Sequence, residues 1–316
     1  MFEIVFLGTS ASAPSIHRGL SAHIVKHDEY RFLVDCGEGT QRQILKSGLG
    51  FKRLNHILIT HGHLDHILGL AGLFSTFTRW ETLEKVEILA GKWTLERIDA
   101  LLYGVKVIPK GKESPLKVNL RAIKPGVIFE TEDFTISAFP VSHRGPDCLG
   151  FVFQERARRA FLPEKADALG VPAGPLRREL VAGTSVTLEN GKTVKPDEVL
   201  GPEVAGARLV HVGDTGSTDE ILEAARGADA LVIEATYLEE EREMAKEYAH
   251  LTARQSAELA RDAGVGQLLL THVSRRYRES DVLAEAQAVF TNTAVARDFD
   301  AWQVRRGEVS KVEAKA

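Results

Sequence analysis

The chain reads as a mixed α/β protein in which two sheets lie face to face with helices outside. Three observations carry this reading. Short apolar runs rich in Val, Ile and Phe recur with Gly, Asp or Ser at their ends. Longer helical patterns fall between them, and the second half repeats the style of the first. The 316 residues suffice for one large domain, and 44% hydrophobic with 27% charged residues is the balance of an ordinary globular protein.

In the first half, "FEIVFLG", "SAHIVKH", "YRFLVDCG", "HILIT", "KVEILA" and "FTISAFPVSH" are predicted strands. "GTQRQILKSG" and "LERIDALLYG" are predicted helices, and "LDHILGL" starts another. In the second half, "ARLVHVGDT", "DALVIEAT" and "GQLLLTHVS" read as strands. "TDEILEAARGA" and "TARQSAELARDAG" read as helices, each opening on a Thr suited to the N-cap. Between the halves, about Arg156 to Pro202, proline and glycine are dense and "ENGK" signals a hairpin turn. Glu155 to Lys195 holds eight basic and five acidic residues on a chain of net charge −4. A connection this long with no core of its own is often functional, so the segment is either a surface insertion or a binding element.

No run approaches the length of a membrane span. The N-terminus begins directly on a strand-like run without a basic leader. The two cysteines, Cys36 and Cys148, lie in no CxxC pair, so a cytoplasmic protein with reduced thiols is expected. The net charge argues against a basic coat, though not against a local basic patch.

"HGHLDH", His61 to His66, follows the apolar run "HILIT". Zinc and similar metals favour imidazole nitrogen and carboxylate oxygen. On extended chain His61 and His63 share a side, while Asp65 and His66 enter the helical pattern and can turn to a second point. His143, Asp214 and His272 each stand where an apolar strand runs out. Individually each could be a turn residue, a helix cap or a buried imidazole; together with the first loop they suggest two ions. The expected grouping is His61, His63 and His143 on one ion, Asp65, His66 and His272 on the other, with Asp214 bridging. Two Zn2+ per subunit suit this donor set, and Mn2+ or Fe are also compatible. His17, His23, His27 and His56 lack partner spacing and read as structural or exposed, and His211 as core or support.

These residues resemble the metallo-β-lactamase superfamily, and further stretches resemble ribonuclease Z, the tRNA 3′-end endonuclease, in its short form. They are "FLGTSASAPSIHRG", "DCGEGTQRQ", "IEAT" (for "HEAT"), "HLT" (for "HST"), "THVSRRY" and the Gly-Pro element of "VPAGPLRREL". The family's "PxKxRN" reads "PSIHRG" here, which keeps Pro14 and Arg18 but neither Lys nor Asn. The resemblance implies a four-layer αββα sandwich over 1–316 with a protruding, flexible, tRNA-binding arm inserted at 156–202. It implies cleavage of precursor tRNA 3′ of the discriminator nucleotide, leaving a 3′-hydroxyl, by two-metal hydroxide attack. Asp65 would be the general base, His250 the proton donor and Glu234 its orienting partner. Ser274, Arg276 and Tyr277 would hold phosphate near the cut, and Arg177 and Arg178 the tRNA body. A homodimer in which one copy's arm serves the other's site is also implied. The readings set against this are a small-substrate hydrolase of the same superfamily (phosphodiesterase, arylsulfatase or lactonase) and a non-catalytic RNA-binding scaffold.

Overall fold

The computed structural model describes residues 1–81, 83–108 and 116–313. The chain forms two compact units: Met1–Gln154 with Ala207–Ala316, and Glu155–Gly206.

In the larger unit, the first sheet has eight strands. Their order is Glu308–Val312, Ala301–Arg305, Phe2–Gly8, Ala22–His27, Tyr30–Val34, His56–Leu58, Lys85–Ala90 and Lys117–Ala122. The first five pair antiparallel and the last four parallel, Tyr30–Val34 belonging to both sets. The second sheet has seven strands, ordered Thr293–Val295, Gln267–Thr271, Ala230–Glu234, Arg208–His211, Leu149–Glu155, Phe134–Pro140 and Gly126–Glu130. Its first four are parallel.

The apolar runs are continuous because both faces of these strands are buried. Phe2, Ile4 and Phe6 point into a core shared with Phe134, Phe151, Phe153, Leu209, Val232 and Leu269 of the other sheet. The alternate residues Val5 and Leu7 point outward, onto Leu70, Leu73, Phe74 and Phe77 of helix Gly69–Trp80. That i, i+3, i+4, i+7 spacing is one helical face. On the far side, Leu231, Ile233, Leu268 and Leu270 pack with Ala257 and Ala260 of helix Ala253–Asp262 and with Val282 and Ala286 of helix Glu279–Gln287. The result is helix, sheet, sheet, helix, as the sequence led one to expect. Cutting Phe153 back to Ala in such a core costs about 3–5 kcal/mol.

Three expectations change. The segment "TDEILEAARGA" is helical only over Leu222–Ala225. Upstream, the Thr215 hydroxyl donates to the Ser217 carbonyl and accepts the Ser217 N–H, a local turn that competes with helix. The polar-faced strands Lys117–Ala122 and Gly126–Glu130 and the C-terminal hairpin Ala301–Val312 go beyond the predicted set. Finally, the inserted segment has a core: Ala166, Val171, Leu180, Val186, Leu188, Val194, Val199 and Leu200 are buried together. Its apolar residues are spaced too widely to look like one in sequence. The "ENGK" turn does join a hairpin, pairing Val186 with Val194. The unit's bounds, 155–206, bring in Asp197, Glu198 and Glu203, so its acidic and basic residues balance at eight each. No helix among the described residues is long and apolar enough to cross a membrane.

Candidate metal centre

Parallel strands deliver the site. Asp214, Glu234 and His272 stand at or just past the carboxyl ends of three neighbouring parallel strands of the second sheet. Asp35 and His61 stand just past the ends of two parallel strands of the first sheet. Open α/β sheets place their chemistry at such ends. His63 is the N-cap of the short helix Leu64–Ile67, and Asp65 and His66 lie in its first turn.

All seven expected ligands converge. His61, His63, His143 and Asp214 offer donor atoms within 4.8 Å of one another, as do Asp65, His66, Asp214 and His272. Asp214 joins the two groups through different oxygens. Its Oδ2 lies 3.7 Å from His61 Nε2 and 3.8 Å from His143 Nε2. Its Oδ1 lies 3.3 Å from both His66 Nε2 and His272 Nε2. Asp65 Oδ2 is 3.6 Å from His272 Nε2.

The far nitrogen of each of four imidazoles is fixed by a hydrogen bond. His66 Nδ1 donates to Asp35 Oδ2 (2.8 Å), and His143 Nδ1 to the Ala249 carbonyl (2.7 Å). His61 Nδ1 meets Thr60 Oγ1 at 3.0 Å, and His272 Nδ1 meets Thr236 Oγ1 at 2.8 Å. Thr60 in turn donates its N–H and hydroxyl to Asp35 (both 2.8 Å). Such outer partners select the tautomer and aim the free nitrogen. Asp35 and His272 hold left-handed backbone, φ 60° and 53°, strain of the kind that collects at functional sites.

The inward atoms are free to ligate. His61 Nε2, His66 Nε2, His272 Nε2 and Asp214 Oδ1 are buried with no hydrogen-bond partner. Most buried polar atoms in proteins are paired, and bound divalent cations would satisfy these four. Burial, then neighbouring His66, hold His61 well below the usual imidazole range, leaving it neutral and ready to ligate. Burial opposes the charge on Asp214, but His272 and His66 outweigh it and keep the carboxylate ionised. Burial opposes the charge on Asp65 as well, but neighbouring His272 and His66 outweigh it and keep this carboxylate ionised too.

Glu234 and His250 meet beside this cluster. His250 Nδ1 lies 3.0 and 3.1 Å from the Glu234 oxygens. Glu234, fully buried, also accepts the Thr215 N–H (2.7 Å) and the Thr236 hydroxyl. Burial works against a charged His250, yet Glu234 overrides it and pushes the imidazole up to about 9. Its ring stacks on ligand His272, centroids 5.4 Å apart.

The remaining expected residues are more committed. Arg276 pairs with Glu241 (3.1 Å), Tyr277 donates to the same carboxylate, and Ser274 Oγ accepts the Arg276 N–H. In the inserted unit, Arg177 donates to the Val171 carbonyl, pairs with Asp167 and covers Phe161, whereas Arg178 is exposed. Arg18 bonds Thr9, the Ala296 carbonyl and Glu279.

Asp35, Thr60 and Thr236 escaped the sequence reading. Asp35 had the same signal as Asp214, an acid just past an apolar run. The rest of "DCGEGTQRQ" braces the ligand loop. The Cys36 N–H donates to the His66 carbonyl (2.7 Å). A Cβ on Gly37 would lie 2.3 Å from the Asp65 carbonyl oxygen, and one on Gly69 2.0 Å from that of Gly37. Only glycine allows these approaches.

A family profile described as "Anti-Pycsar protein Apyc1" matches residues 2–162, and one described as "Beta-lactamase superfamily domain" matches 177–273. The chain is 47% identical to a ribonuclease Z of Bradyrhizobium diazoefficiens, over 95% of this chain and 99% of that one. It is 38% identical to a ribonuclease Z of Archaeoglobus fulgidus, over 96% and 98% of the two chains. Its fold is similar to the crystal structure of human tRNase Z, short form, with a TM-score of 0.66 and 24% identity across 95% and 98% of the two chains.

Proposed function

This chain belongs to the ribonuclease Z family of the β-lactamase superfamily, and on that premise we propose how its residues carry out the reaction. It is an endoribonuclease of tRNA 3′ processing and acts with divalent metal. The observation that carries the residue-level reading is the shared carboxylate, Asp214, with one oxygen facing each ligand group.

Two zinc ions are the proposed occupants. When bound, such ions supply a nucleophile at neutral pH and offset charge on the attacked phosphate. His61, His63 and His143 would hold one, Asp65, His66 and His272 the other, and Asp214 both. Asp65 is ionised and 16% exposed, so it can accept a proton from the attacking water. His250 is protonated at neutral pH, with Nδ1–H given to Glu234. Its other nitrogen is thus left to donate a proton to the departing ribose oxygen. Ser274, Arg276 and Tyr277 contribute phosphate contacts only if RNA draws Arg276 and Tyr277 from Glu241. Arg178 is the better placed of the two arm arginines to meet tRNA. The working form is taken as a homodimer, with sedimentation as its test.

A small-substrate hydrolase would need the same centre. Against it stands identity to ribonuclease Z relatives along 95% of the chain, the inserted unit included. A scaffold without catalysis would be free to lose ligands, and all seven are kept. The test is a 3′-extended pre-tRNA, with and without encoded CCA, incubated with the protein and mapped for the cut. Cleavage after the discriminator is expected; no cut with any added divalent metal would overturn the reading.

A further inference from the structure

Beside the first ligand group, one aromatic residue touches both loops that carry it. Trp93 lies in helix Lys92–Asp99, and its indole is half-buried. A Cβ on Gly62 would lie 2.9 Å from that ring, and Gly62 has ligands His61 and His63 on either side. A Cβ on Gly145, two residues after ligand His143, would lie 3.4 Å from the same ring. The backbone N–H of Trp93 points to Asp147 Oδ2 at 3.4 Å, on that second loop.

One helical turn on, Arg97 covers the indole, its guanidinium 4.9 Å from the ring centroid. Among the described residues Arg97 forms no ion pair, and its Nε is buried without a hydrogen-bond partner. Arg144, next to His143, is exposed and lies 5.7 Å over the Tyr248 ring. Space-filling explains glycine at 62 and 145. It does not explain a cation held on the ring with no carboxylate partner. The terminal nitrogens of Arg97 are not among the buried unpaired atoms, so they can meet a phosphate oxygen.

We propose that Trp93 and Arg97 form a nucleotide subsite at the His63 and His143 edge of the centre. The indole stacks on an unpaired base flanking the scissile phosphodiester, and Arg97, aided by Arg144, binds that nucleotide's phosphate. The ligand class is single-stranded RNA, recognised by stacking and charge rather than by sequence. This rests on the endoribonuclease reading, and Trp93 is a positioning residue in it.

Protein carrying Asp65→Ala is titrated with 3′-extended pre-tRNA and with a single-stranded oligoribonucleotide of the trailer. Tryptophan emission and the anisotropy of labelled RNA are followed together. Quenching is expected, and Trp93→Phe should remove the quenched component while keeping most of the affinity. Trp93→Ala should weaken binding by roughly tenfold, towards the lower end of the range for one stacked base. In protein that keeps Asp65, Trp93→Ala should raise KM for pre-tRNA far more than it lowers kcat. Its loss on pre-tRNA should exceed any loss on bis(p-nitrophenyl) phosphate by about tenfold. RNA that binds without quenching, quenching that survives Trp93→Phe, unchanged affinity in Trp93→Ala, or no RNA binding at all overturns the proposal. Equal loss on both substrates with reduced metal content also overturns it, leaving Trp93 as a brace for the loops. Failure of the parent reading shows separately, as intact pre-tRNA after incubation with the unmodified protein, while the binding arms stay readable.

Discussion

The two sheets supply one centre in different ways. The first concentrates four candidate ligands in six residues, His61 to His66, and supports them with Asp35 and Thr60 from neighbouring strand ends. The second gives single candidate ligands from separate strand ends, His143, Asp214 and His272, and adds the Glu234 and His250 pair. A compact loop can shift as one body, so its precision depends on its buttress. Dispersed ligands are each fixed by their own strand, so their precision depends on sheet register.

The largest break should come from Asp214→Ala, since one residue serves both groups. Both ions should be lost and cleavage should fall below detection; metal analysis alongside activity checks this, and retention of one full ion would contradict the bridging role. Next come the two residues proposed to transfer protons. Asp65→Ala and His250→Ala should each lower kcat by about 10²–10⁴-fold, and pre-tRNA should still bind to Asp65→Ala in a gel-shift assay.

Glu234→Gln sharpens the same point through pH. With Glu234 ionised, His250 keeps its proton until about pH 9, so activity should fall above that. Removing the carboxylate's charge lowers the His250 value, so the alkaline limb of the kcat profile should move to lower pH. An unmoved limb would separate His250 from it. Smaller again is the buttress of the loop: Asp35→Asn should weaken metal affinity by about 10–100-fold, measured by competition with a chelator. Thr236→Val tests the dispersed side likewise. The smallest effect is expected from Arg178→Ala, a loss in pre-tRNA affinity that shrinks as salt rises.

The convergent His and Asp side chains were legible because they cluster in one loop or stand where an apolar run stops, positions that sequence marks well. Asp35 was marked equally, but its purpose depends on His66, 31 residues away, and on a left-handed turn that no local pattern announces. Thr60 and Thr236 were hidden because a hydroxyl beside a ligand is common in sequence and meaningful only in space. Strands Lys117–Ala122 and Gly126–Glu130 lack the doubly buried apolar run that revealed most of the others. The inserted unit hid its core for a related reason: eight buried side chains are spread across 35 residues of turn-rich chain.

The turn at Ala249 carries two duties at once. Its carbonyl accepts the hydrogen bond of His143 Nδ1–H, and the next residue is His250, the proposed proton donor. With φ 54°, Ala249 is held in a conformation that tolerates little adjustment. The ligand and the donor are therefore interlocked through a single peptide unit. Seating His143 correctly seats His250 as well, so assembly of the centre and readiness for the last proton transfer become one event.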